Sequence, residues 1–75
     1  MGNSKGAIVQ GEYAYRVTRI DRIKYSRLHQ KALINNVVFA PVFKNQNNDS
    51  VDMATWYFSK KKDLDNFLRD ITLLN

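Results

Sequence analysis

The chain has 75 residues, with 12 Lys and Arg against 7 Asp and Glu, a formal charge of +5 and no Cys. That length suits one domain near the lower limit of a self-supporting core, since a chain of this size buries only about 60% of its unfolded surface. Without Cys, disulfides and thiolate-bound zinc are excluded, and a metal site would have to be built from His29 and carboxylates alone, so neither a metal nor another cofactor is expected.

The opening Met1-Gly2-Asn3-Ser4-Lys5-Gly6 carries one cation and no apolar run of signal-peptide length follows it. Nor is there an apolar stretch of roughly 20 residues to span a bilayer. The expectation is a cytoplasmic protein with no membrane partner, whose residues 1–10 form a loose segment before a single domain. Residues 1–44 hold eight Lys and Arg against Glu12 and Asp21, whereas residues 45–75 hold four against five Asp. A nearly unopposed basic half typically serves an anionic partner.

In chain order, Tyr13, Tyr15 and Val17 alternate with Ala14, Arg16 and Thr18, the period of a strand. The alternation changes phase at Ile20, which predicts a bulge or strand end near Arg19–Arg22. From Ser26 onward the residues are good helix formers, with Ser26 as cap and Asn35-Asn36 as stop, so a short helix over 26–34 is expected; the competing reading makes 23–34 a further strand. Val37–Phe43 and Met53–Ser59 are dense in apolar and aromatic residues and read as two strands of a hairpin around the polar loop Asn45–Ser50. Pro41 lacks an amide hydrogen, which assigns its strand to a sheet edge or a bulge, where a second copy could pair as a homodimer. Leu64, Phe67, Leu68, Ile71 and Leu74 share one face of a helix that Asp63 would cap, with Asn66, Arg69, Asp70 and Thr72 toward water. The fold expected is α+β: an antiparallel sheet of three strands, or four, packed against the C-terminal helix, with or without the short helix at 26–34.

Catalytic equipment is sparse. There is one His, and none of Gly2, Gly6 and Gly11 opens a phosphate loop, so the sequence predicts no catalytic residues and no enzyme. His29, flanked by Arg27 and Lys31, reads as a surface or phosphate-facing residue. The window Arg16–Lys31 contains Arg16, Arg19, Arg22, Lys24, Arg27 and Lys31 with Tyr15 and Tyr25 among or beside them. Cations neutralise phosphates and tyrosines stack on exposed bases, so this composition points to DNA or RNA. Lys60, Lys61 and Lys62 form a second candidate contact, at a helix end that is already positive and suits an anion.

Trp56 reads as core, with Ala54 and Phe58 on its face and Met53 and Tyr57 on the other; Tyr57 with Tyr13 or Tyr15 would then form an exposed aromatic surface. Neither Asn3-Ser4-Lys5-Gly6 nor the order Glu12-Tyr13, Ile20-Asp21-Arg22, Thr55-Trp56 carries a family assignment. The leading expectation is a small, stoichiometric nucleic-acid-binding protein. The alternative is a protein-binding inhibitor or adaptor, of the host-modulating, phage-like kind, that docks on an acidic surface of a larger protein.

Overall fold

The computed structural model describes residues 12–46 and 50–73. The expected loose segment over 1–10, the middle of the polar loop and Leu74 lie outside the described residues. The elements run β1 (Tyr13–Ile20), α1 (Arg22–Ile34), β2 (Val42–Lys44), β3 (Val51–Phe58) and α2 (Lys61–Thr72). The fold is α+β. β3 is the central strand of a three-stranded antiparallel sheet in the order β1-β3-β2, and both helices lie on one face of it. Flanked on both sides and roofed by helices on one face, β3 buries five of its eight residues, which is why it is so dense in large apolar residues.

Tyr13, Tyr15 and Val17 face the helices opposite Phe58, Trp56 and Ala54, while Ala14, Arg16 and Thr18 point to the other face. The change of phase comes at Arg19, whose φ of 56° lies in the left-handed region. No residue is inserted in the β1–β3 ladder: Thr18 faces Met53 and Ile20 faces Val51. A different irregularity serves the β2–β3 ladder, where Phe43 faces Met53 but Lys44 faces Val51, leaving Asp52 as the extra residue of a bulge. Ile20 and Val51 thereby both reach the core, Val51 at 1% exposure.

The strand over Val37–Phe43 is shorter than the sequence suggests. Regular pairing covers only Val42–Lys44, preceded by one bridge between Phe39 and Tyr57. Pro41 interrupts the run as its missing amide requires, and its carbonyl accepts from the Thr55 amide at 3.1 Å. β2 is an edge strand, and so is β1.

Residues 23–34 are helical, which removes the competing strand reading. α1 begins four residues before the expected Ser26: Asp21 is the cap, its Oδ1 accepting from the Lys24 amide at 2.7 Å. A carboxylate three residues ahead of a free amide satisfies a donor that Ser26, inside the helix, cannot reach. α1 ends as predicted. Asn35 donates its side-chain amide to the Lys31 carbonyl, and Asn36 adopts φ 65°, a left-handed stop that Asn tolerates better than branched residues.

α2 starts at Lys61 with Lys60 at the cap position and no side-chain cap. Asp63 is therefore not the cap. It sits in the first turn at 6% exposure, where it complements the helix dipole and accepts from Asn36 Nδ2 at 3.5 Å. Asp70, expected to face water, is half-buried and accepts from Asn35 Nδ2 at 2.9 Å. The end of α1 is thus tied to α2 at two points, two turns apart. Leu28, Ala32, Val51, Ala54, Trp56, Phe58 and Phe67 form one core, drawn from both helices and from β3.

Candidate functional site

Trp56 is fully buried at the centre of an aromatic cluster: Tyr15 and Tyr25 lie near-parallel to it at 6.3 and 5.7 Å, and Phe67 tilts against it at 5.8 Å. Phe67 also meets Phe58 at 5.1 Å and the edge of Tyr15 at 5.5 Å. Tyr15 and Tyr25, the proposed base-stacking residues, are half-buried with their rings engaged in this cluster. Burial raises the Tyr25 hydroxyl above its ordinary pKa, because the phenolate is poorly solvated there.

His29 is not a free surface residue. Its ring stacks on Tyr25 at 5.6 Å, and its Nδ1 accepts from the Trp56 indole Nε1 at 3.1 Å. An Nδ1 that accepts carries no proton, so in this arrangement the ring is neutral and its hydrogen is on Nε2. The role is structural, because a fully buried indole N–H needs an acceptor that water cannot supply. A lone His one turn after a Tyr, on a helix lying over a Trp strand, was the available signal.

The basic residues divide among several surfaces. Arg16 is on the sheet face away from the helices, opposite Thr55. Arg19 sits at the end of β1, Arg22, Lys24 and Arg27 are exposed on the first half of α1, and Lys31 is half-buried nearer its end. The Lys60–Lys62 triplet is at the start of α2. Lys24 and Arg27 line a cleft with Leu68 and Ile71, near the end of α2, whereas the triplet belongs to the first turn of α2, where Asp63 meets Asn36. Lys61 pairs with Asp65 at 3.1 Å in an exposed contact of little energetic weight. The residues thus do not assemble into one face.

Two other surfaces do assemble. The first is the outer face of the sheet, over which no described element packs. Met53 and Tyr57 lie on it as the alternation predicts, but Tyr13 and Tyr15 are on the opposite side, and Phe39 takes the expected place beside Tyr57, with Phe43 beside Met53. Phe39 is 58% exposed and stacks on Tyr57 at 5.9 Å, while Phe43 is 65% exposed and pairs with Met53 across the strands. The second is a cleft of about 780 Å³ between the end of β1, the first half of α1 and the last turns of α2.

Among the described residues, no three His, Cys, Asp or Glu side chains are grouped as metal ligands, and no helix is long and apolar enough to cross a membrane. Comparisons with protein families, with curated proteins and with solved structures give no match for this chain.

Proposed function

We propose that this chain is a non-catalytic binding protein that docks on a partner protein through the uncovered face of its sheet. The observation that carries the reading is the exposure of Phe39, beside Tyr57, and of Phe43 and Met53 further along the same face, which no described element covers. Contiguous apolar surface of this kind is costly on a small monomer and is characteristic of interaction sites. Aromatic and Met side chains are also the types enriched at protein interfaces, whereas nucleic-acid interfaces are dominated by cations. Arg16 on the same face and the charge of +5 favour a partner with an acidic surface.

One specific observation favours a second reading, binding of single-stranded DNA or RNA: Phe39 and Tyr57 stack side by side on an open sheet face that also carries Arg16. Dispersal of the remaining cations, with Tyr15 and Tyr25 engaged in the core, weighs against it. The test is co-purification with nuclease treatment, comparing the wild-type chain with a Phe39→Ser/Phe43→Ser variant, read by mass spectrometry and nucleic-acid staining. The docking reading expects a discrete protein that survives nuclease and is lost with the variant. Retention of nucleic acid alone, weakening steeply with salt, would replace it with the second reading.

A further inference from the structure

We infer that the cleft between β1, α1 and α2 is a second docking site, and that its occupant is an acidic peptide segment of a partner protein, anchored by apolar side chains. Ile20 from β1, Leu28 from α1, and Leu68 and Ile71 from α2 supply the apolar part of its lining, which polar side chains such as Thr18 and Thr72 interrupt. Ile23, at the mouth, is 65% exposed although it sits in the first turn of a helix whose other side is packed. A large β-branched residue so placed gains nothing from folding unless something later covers it.

The charge at the cleft selects the occupant. Lys24 and Arg27 stand one turn apart on α1 and both line the cleft, and neither has an ion-pair partner among the described residues. Asp21 also lines the cleft and keeps its negative charge while its Oδ1 caps the helix through the Lys24 amide. Two cations and one carboxylate therefore border the hollow, leaving it with a net positive charge. A segment placing a Leu, Ile or Phe in the hollow and Asp or Glu beside it would satisfy both features at once, and the Arg27 guanidinium can hold a carboxylate in bidentate fashion. This site is on the opposite side of the sheet from Phe39 and Phe43, so it stands or falls separately from docking through the outer face.

The experiment is selection of a random-peptide phage library on the full chain, followed by backbone NMR titration with the most enriched peptide. Enriched sequences combining acidic with large apolar residues, with shifts centred on Ile23, Lys24, Arg27 and Ile71, are the result expected. Lys24→Glu/Arg27→Glu changes exposed residues, so thermal unfolding should stay close to wild type while affinity falls about tenfold or more. A peptide with its acidic residues changed to Lys should recover binding to that variant. No enrichment, enrichment without acidic residues, or undiminished binding by the charge-reversed variant would overturn the inference. So would shifts confined to Phe39, Phe43 and Tyr57, which would locate docking on the outer face alone, or contacts from residues 1–11 within the cleft, which would make its occupant the chain itself.

Discussion

Replacing His29 by Phe isolates the hydrogen bond to Trp56 from everything else the imidazole does. Phe keeps a planar ring to lie on Tyr25, now 5.6 Å away, but offers the indole N–H no acceptor. Because Trp56 is fully buried, water cannot take over, and a donor stranded in this way costs about 1–3 kcal/mol. A domain of this length has a total stability of about 4–11 kcal/mol, so the loss is a sizeable fraction of it. Each kcal/mol corresponds to a fall in Tm of roughly 4–8 °C at this size. Trp56 is the chain's sole Trp, so its fluorescence in a denaturant titration reports the unfolding of the core directly. A cycle with Trp56→Phe in both backgrounds, followed by circular dichroism, should return a coupling of about 1–2 kcal/mol. If His29→Phe stays within about 0.5 kcal/mol of wild type, the bond does not matter to stability and the structural role assigned to His29 is wrong.

Asn36→Gly should match or slightly exceed wild-type stability, whereas Asn36→Ala should lose about 1 kcal/mol in chemical denaturation, because φ 65° penalises a Cβ; equal losses from both would mean that the contact with Asp63 dominates instead. At Arg19, φ 56°, Val should cost about 1–2 kcal/mol and Gly nothing, read from thermal melts. Tyr25 is expected to titrate above the ordinary tyrosine value in an ultraviolet absorbance titration. As its folded pKa lies above the unfolded value of 10.0, its contribution is fully present below that pH and is lost as pH rises through the folded pKa. Disrupting the exposed Lys61–Asp65 pair with Lys61→Ala should change stability by less than about 1 kcal/mol in the same denaturant assay.

The strongly patterned parts of the chain were legible beforehand. α2 repeats its apolar residues at helical spacing, and the phase change at Ile20 announced the irregularity at Arg19. α1 was harder. Ile23, Leu33 and Ile34 are exposed, Leu28 and Ala32 alone are buried, and basic residues surround them, so no apolar stripe marks the helix. The sequence places its start four residues late, at Ser26, although Asp21 is a residue type able to cap a helix. At α2 the same logic misled: Asp63 resembles a cap, but its carboxylate is engaged with Asn36 from another helix, a tertiary contact with no local signature.

Alternation along β3 separated Trp56 from Tyr57 correctly. It carried no information on which β1 residues would join each face, because that depends on the register of strands more than thirty positions apart in sequence. Hence the sequence groups Tyr13 and Tyr15 with Tyr57, and takes Phe39 and Phe43 only as members of the edge strand Val37–Phe43.

The fold measures 43 × 29 × 15 Å, and its buried apolar core lies between one sheet face and one pair of helices. The slab is therefore decoupled through its thickness. Substitutions of Phe39 and Phe43 are expected to alter what the molecule presents on that face while leaving the packing of Trp56 and Phe67 in place. The same thinness leaves no spare depth on the other side: with Phe67 touching Tyr15, Trp56 and Phe58 at once, a truncation there has no second layer of side chains to collapse into the gap.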